Sequence, residues 1–112
     1  MNSDNVITSS ANPRIKYVSS LLKKGSKRRE DDVYLVEGLR IVLKAPLDDI
    51  RSIFVSDGIL ESDIRVKEFV DRCLSMGIEA TVVSSKVMKS MSDTVTPQGI
   101  MAIIRRRHYE LL

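Results

Sequence analysis

The sequence predicts an α/β fold, more specifically a three-layer α/β/α sandwich formed by a single domain. Short segments that are mainly apolar alternate along the chain with segments of helical periodicity. The apolar segments are nearly continuous, which is typical of strands that helices cover on both faces. The length of 112 residues allows one hydrophobic core but not two. We therefore expect a parallel or mixed sheet between two layers of helices.

The first predicted element is a helix that begins at Asn12-Pro13, because Asn caps free amide groups and Pro is tolerated at the first helical position. Its apolar residues recur at helical spacing, and Gly25 is expected to end it. The segment of residues 25–31 contains no apolar residue. It is predicted to be a surface loop or an irregular turn that presents three basic side chains, Lys27, Arg28 and Arg29.

The remaining elements follow from apolar runs and from glycine or proline stops. Pro46 limits the helix that precedes it, and Gly77 is expected to end the helix with the clearest apolar periodicity. The predicted helices cover residues 39–45, 66–74 and 85–91. The predicted strands cover residues 33–36, 53–55, 80–83 and 99–104.

Basic residues are concentrated at both ends of the chain, although the net charge is only +3. Residues 1–29 contain seven basic residues and one acid, and residues 30–104 contain eight basic and thirteen acidic residues. The last eight residues contain three arginines and one glutamate. Such asymmetry is expected where a polyanion lies against one surface, and a solvated charged face would give the same pattern. Charge alone leaves both interpretations open.

The chain lacks the residues that several kinds of site require. A single cysteine, Cys73, cannot form an internal disulfide, and together with the one histidine, His108, it cannot form a zinc site. The five glycines are isolated, so no phosphate-binding loop is present. No apolar run is long enough to cross a bilayer, and the amino terminus does not resemble a signal peptide. We expect a cytoplasmic protein with no membrane partner.

Glu37 is the acid that most resembles part of a site. It follows an apolar strand and precedes Gly38, and strand ends in α/β sheets open onto ligand crevices. The same position also suits an acid at the amino-terminal end of a helix, where the helix dipole favours negative charge. The residue pattern alone favours the second role.

Five short motifs follow one another along the chain: Ile7-Thr8-Ser9, Asn12-Pro13-Arg14-Ile15-Lys16, Lys27-Arg28-Arg29, Tyr34-Leu35-Val36-Glu37-Gly38 with Arg40, and Thr96-Pro97-Gln98-Gly99. Their order and spacing resemble the amino-terminal substrate-binding domain of the SpoU (TrmH) family of RNA 2′-O-ribose methyltransferases. The resemblance spans nearly the whole chain. It implies a fold like that of the ribosomal proteins that bind kink-turn RNA, which agrees with the α/β/α sandwich predicted from periodicity.

The resemblance further implies that a knotted catalytic domain, which binds S-adenosylmethionine and mediates homodimerisation, normally follows this domain. The chain stops at Leu112, before such a domain would begin. We therefore expect residues 1–112 to form an RNA substrate-binding domain that holds no cofactor and is inactive alone. S-adenosylmethionine is expected only for the absent catalytic domain.

Carried over position by position, the resemblance implies that the first helix and the basic segment face RNA, through Asn12, Arg14, Lys16, Lys23, Lys27, Arg28 and Arg29. Four of these side chains, Lys16, Lys23, Arg28 and Arg29, are predicted to face solvent. By fold analogy, Glu37, Gly38 and Arg40 occupy a strand-to-helix corner that kink-turn-binding proteins use for RNA. The residues of the motif at 96–99 are expected to shape a turn.

The resemblance favours ribosomal RNA over transfer RNA as the partner. One alternative is a stand-alone kink-turn-type RNA-binding or ribosome-associated protein without enzymatic activity, and another is a protein–protein interaction domain. The motif Ile7-Thr8-Ser9 followed by Asn12-Pro13 favours the methyltransferase interpretation.

Overall fold

The computed structural model describes residues 5–92, 94 and 97–107. His108 and Thr96 lie outside the described residues. The helices are α1 Pro13–Lys23, α2 Gly25–Asp31, α3 Leu39–Lys44, α4 Asp57–Ser62, α5 Ile64–Ser75 and α6 Ser85–Met91. The strands are β1 Val33–Glu37, β2 Ile50–Ser56, β3 Glu79–Val83 and β4 Ile100–Arg105, and a single 3-10 turn, Leu47–Asp49, precedes β2.

The four strands form one mixed sheet in the order β1-β4-β2-β3. β4 runs antiparallel to both of its neighbours, and β3 runs parallel to β2. Among the described strands, β4 therefore lies between the first two, β1 and β2. This position explains why residues 100–104 are apolar throughout and buried.

Helices cover both faces of the sheet, which confirms the predicted three-layer arrangement. Ile53 and Val55 of β2 face a cluster to which α3, α4 and α5 contribute. Phe54, between them, faces the opposite cluster, which is formed with α1 and α6. Successive side chains of a strand point to opposite faces, so the apolar run of β2 supplies both cores.

Residues 25–31 form the helix α2, so the predicted loop at this segment is wrong. None of its residues is buried, and polar contacts within the helix, at its end and with α1 stabilise it. Lys27 pairs with Asp31 at 3.4 Å, and Asp32 ends the helix in a left-handed conformation with a φ of 59°. A helix that is polar on all sides lacks the apolar periodicity from which helices are predicted.

The end of α1 also differs from the prediction. Lys23 is its last residue, and Lys24 takes an extended conformation before α2 begins at Gly25. Gly25 is therefore the first residue of a helix and not the stop of one. Glycine commonly ends helices, which is why the sequence predicts a stop at Gly25, but here the chain only bends between two helices.

The segment that precedes α1 pairs with the outer side of β3. Ile7 donates its amide hydrogen to the carbonyl of Val82 at 2.9 Å, and its own carbonyl accepts from the amide of Ser84 at 2.9 Å. This pairing places the start of α1 beside β3.

Among the described helices, none has the length and apolar character that crossing a membrane requires.

Candidate nucleic-acid interface

Two groups of the residues predicted to contact RNA lie at opposite ends of β1. β1 pairs with β4 so that Val33 lies opposite Arg105 and Glu37 lies opposite Met101. The basic segment of α2 precedes Val33, and the corner formed by Glu37, Gly38 and Arg40 follows the other end of the same strand. We call the first end the basic end and the second the β1 corner.

Arg14 connects the first turn of α1 to β3 at the basic end. Its Nε lies 3.6 Å from Oε1 of Glu79, and its Nη1 donates to Oγ1 of Thr81 at 3.3 Å. About half of each of the two charged side chains remains exposed (54% for both). Arg14 is therefore held in place by β3 and still open to solvent.

Tyr17 connects α1 to α2 and to the start of β2. Its hydroxyl donates to the carboxylate of Asp31 and accepts from Nη1 of Arg51 at 3.0 Å. The guanidinium of Arg51 and Nζ of Lys27 lie 5.6 Å and 5.9 Å from the centre of its ring, within the range of cation–π contacts. The hydroxyl and the ring therefore position two cations at the basic end.

The contacts of Tyr17 also shift the pKa values of two side chains, Tyr17 and Asp31. The hydrogen bond from Tyr17 holds the pKa of Asp31 below its usual value, because it stabilises the carboxylate. Burial raises the pKa of Tyr17, and the hydrogen bond to Asp31 raises it further. At neutral pH the phenol is therefore a neutral donor and Asp31 is ionised.

The four side chains predicted to face solvent do not behave alike. Lys16, Lys23 and Arg29 are exposed, as predicted. Arg28 is half-buried, and its Nη1 donates to the carbonyls of Leu21 and Leu22 in the last turn of α1. Arg28 therefore satisfies carbonyl groups that the end of a helix leaves without partners, and the prediction that it faces solvent is wrong.

Asn12 caps α1 as the sequence predicts. Its Oδ1 accepts the amide hydrogen of Arg14 at 2.9 Å. The side chain is half-buried beside the pairing between Ile7 and β3. Asn12 therefore stabilises the start of α1, and this role is independent of the predicted contact with RNA.

At the β1 corner, Glu37 is tied to the segment that follows α6. Its Oε2 accepts from the hydroxyls of Ser92 and Thr94, the second at 3.1 Å. Gly38 comes next with a φ of 109°, a conformation that favours glycine. Both observations indicate that Glu37 and Gly38 stabilise the backbone conformation of the β1 corner.

Gln98 completes the β1 corner from the other side. Its Oε1 accepts the amide hydrogen of Leu39 at 2.6 Å and so caps the start of α3. A Cβ atom at Gly38 would lie 3.0 Å from the same Oε1. Beside this contact is an open cleft of about 270 Å³, which Arg40 also lines.

The sequence pattern does not identify three side chains that form contacts at the basic end or at the β1 corner. Arg51, at the start of β2, and Tyr17, on α1, carried no local signal that would associate them with Arg14. Gln98 was assigned only to a turn, whereas its side chain caps a helix 59 positions earlier. Contacts of this sequence separation follow from the strand order, which no local pattern reveals.

Two kinds of catalytic site, a metal centre and a reactive cysteine, are not found among the described residues. No cluster of His, Cys, Asp and Glu side chains among them could hold a metal ion. Cys73 is buried, and burial raises the pKa of its thiol to about 11, so that the reactive thiolate is not formed near neutral pH.

The sequence matches the family described as MRM3-like substrate binding domain over residues 12–102. No curated protein matches it. Among solved structures, an rRNA methyltransferase from Sinorhizobium meliloti is similar with a TM-score of 0.76 and 24% identity, over 92% of this chain and 37% of the other. An RNA 2′-O ribose methyltransferase is similar with a TM-score of 0.70 and 28% identity, over 95% of this chain and 39% of the other.

The SpoU methyltransferase AviRb from Streptomyces viridochromogenes, solved with the cofactor AdoMet, has a TM-score of 0.65 and 19% identity, over 89% of this chain and 35% of the other. This chain thus spans well under half the length of each solved relative. These structural similarities confirm the α/β fold predicted for this chain, which matches the fold of the amino-terminal domains of SpoU methyltransferases. Because the family match covers most of the chain, we conclude that it belongs to the family of MRM3-like substrate-binding domains.

Proposed function

We propose that this domain binds the RNA substrate of a SpoU-family RNA 2′-O-ribose methyltransferase, with ribosomal RNA as the partner. The observation that carries the proposal is the match to a substrate-binding family over residues 12–102. Two structural neighbours are described as an rRNA methyltransferase and as an RNA 2′-O ribose methyltransferase, which supports RNA as the substrate class. We further propose that the complete enzyme works in the cytoplasm as a homodimer formed through its catalytic domain.

The surface proposed for RNA is the outer side of α1 and α2. Lys16 and Lys23 are exposed on the side of α1 away from its buried residues, Lys24 is exposed between the two helices, and Arg29 is exposed on α2. Cations held on short helices can follow a phosphate backbone without reading its sequence. Since each phosphate contact releases counterions, the affinity is expected to depend steeply on salt.

The test reverses these four charges in one variant that combines Lys16→Glu, Lys23→Glu, Lys24→Glu and Arg29→Glu. Arg28 is left unchanged because it caps α1. Binding to a ribosomal RNA hairpin should be lost, whereas wild-type binding should show a slope of log K against log salt of about −3.5, for roughly five phosphate contacts to the single-stranded regions of the hairpin. Fluorescence anisotropy measures the binding, and circular dichroism checks the fold.

The matched control reverses four exposed charges on the other helical layer, by Lys44→Glu, Arg65→Glu, Lys67→Glu and Arg72→Glu. This variant has the same net charge as the first, so a loss confined to the first variant locates the interface on α1 and α2. Equal losses in both variants would show that only overall charge matters. A wild-type domain that binds no RNA at any salt concentration would contradict the proposed function and favour a protein partner.

A further inference from the structure

A cleft at the basic end lies next to the surface proposed for RNA. Its volume is about 360 Å³, near the lower limit of sites that hold small organic ligands. The cleft is bounded by α1 and by the starts of β2 and β3. Its lining combines apolar groups from Pro13, Phe54 and Ile103 with polar groups from Arg14, Arg51 and Glu79.

The two arginines of this cleft are held from different directions. β3 holds Arg14 through Glu79 and Thr81. The hydroxyl of Tyr17 accepts from Arg51, and the Tyr17 ring lies 5.6 Å from its guanidinium. Both arginines are nevertheless exposed, so each can donate to a ligand without first giving up a buried partner. A site whose donors are already ordered loses less conformational entropy when it binds.

The combination of groups indicates the class of ligand. A planar guanidinium beside an aromatic ring offers a stacking surface for an unpaired base, and two arginines suit the phosphates that flank it. The carboxylate of Glu79 can only accept hydrogen bonds when ionised, so it suits a base that carries an amino group. A base in an RNA duplex keeps its faces stacked on its neighbours and cannot enter such a cleft.

We propose that this cleft binds a single unpaired nucleotide of the RNA substrate, with Arg51 stacked on the base, Arg14 at the phosphate and Glu79 accepting from an amino group of the base. The inference rests on the proposed function, since it assigns one nucleotide of that RNA to a defined place. It adds to that function a preference for RNA that is unpaired at this position.

The experiment compares three RNA probes of equal length: oligocytidine, oligouridine and a blunt RNA duplex. Fluorescence anisotropy measures their affinities for the wild-type domain and for Arg51→Ala and Arg51→Lys. Both substitutions should weaken oligocytidine binding about tenfold, because both remove the planar guanidinium on which the base would stack. Lysine keeps the positive charge, so this variant separates stacking from charge. Duplex binding should change less than threefold, and oligouridine should bind wild type more weakly than oligocytidine. Arg65→Ala, on the opposite layer, removes one charge as a control.

Each outcome decides a separate point. If Arg51→Lys binds oligocytidine like wild type, only charge is used and the stacking site is overturned. If both Arg51 variants keep wild-type affinity while the four-fold reversal on α1 and α2 abolishes binding, the proposed function stands and the nucleotide cleft does not. Equal binding of oligouridine and oligocytidine would overturn the role of Glu79. Absence of binding to all three probes, while the ribosomal RNA hairpin still binds, would overturn the nucleotide cleft and leave the proposed function standing.

Discussion

Two neighbouring arginines show how differently adjacent basic residues can be used. Arg28 donates to the last carbonyls of α1, whereas Arg29 is exposed on the outer side of α2. Successive residues of a helix point about 100° apart, so only one of the two can reach back to the preceding helix. A basic run in a sequence therefore overstates the number of cations that are free to meet RNA.

Glycine positions allow a test of the local geometry. Gly77 and Gly99 both have positive φ, but a Cβ at Gly77 would meet open space, while one at Gly99 would lie 2.7 Å from Oγ of Ser56. We expect Gly77→Ala to lower the free energy of unfolding by about 1 kcal/mol through backbone strain. Gly99→Ala should lower it by about 3 kcal/mol, since crowding adds to the strain. Urea unfolding measures both values.

Gly58→Ala is the control for this comparison. Gly58 lies inside α4, and its added Cβ would make only ordinary contact with Ser85, at 3.7 Å. Because alanine favours helix, the change should be neutral or should stabilise the domain by up to about 1 kcal/mol. If Gly99→Ala and Gly77→Ala destabilise the domain equally, the close approach between Gly99 and Ser56 is not present in solution.

On the scale of elements, α2 owes its place to the contacts that tie it to α1 and β2. It buries no residue of its own, so little hydrophobic free energy holds it. Tyr17 of α1 donates to Asp31 at the end of α2, and Arg51 of β2 donates to the same Tyr17 hydroxyl. These polar contacts are expected to respond to pH, whereas the two apolar clusters are not.

The pH dependence of stability should report this connection. The pKa of Asp31 is lowered from 3.8, so its contribution is complete above that pH and is lost as the pH falls through the lowered value. The pKa of Tyr17 is raised from 10.0, so its contribution is complete below that pH and is lost as the pH rises through the raised value. The stability difference between wild type and Tyr17→Phe should therefore be largest between these two limits and shrink at both ends.

Urea unfolding at a series of pH values measures this difference. Tyr34→Phe, on the exposed side of β1, is the control, and its difference from wild type should stay flat through the acid range. If the Tyr17→Phe difference also stays flat as Asp31 is protonated, the hydrogen bond between Tyr17 and Asp31 contributes nothing to the stability of the domain.

For the molecule as a whole, the family assignment predicts a division of labour. The match over residues 12–102 is to a substrate-binding domain, and the solved relatives are more than twice as long as this chain. We therefore predict that this domain alone does not bind S-adenosylmethionine. Titration calorimetry with the cofactor should give no heat beyond dilution, and saturable binding in the micromolar range would contradict the assignment of the cofactor to another domain.

The sheet also separates the two groups of predicted contacts. The basic end and the β1 corner lie at opposite ends of β1, a strand of five residues. At the basic end, Arg14, Lys27 and Arg51 are side by side, whereas at the β1 corner Glu37 adds a negative charge. This difference is why the proposed interface is placed on α1, α2 and the basic end.

Local sequence patterns predict the α/β class, the four strands, the start of α1 at Asn12 and the stop after α5 at Gly77, because caps, glycine conformations and apolar runs act within a few residues. Motifs distributed along the chain also indicate the family. Three features are visible only in the folded domain: the place of β4 between β1 and β2, the helical conformation of residues 25–31, and the contact between Arg51 and Tyr17. These features depend on contacts between segments that are far apart in the sequence. Such contacts stabilise the domain only after the sheet has formed and both helical layers have packed on it.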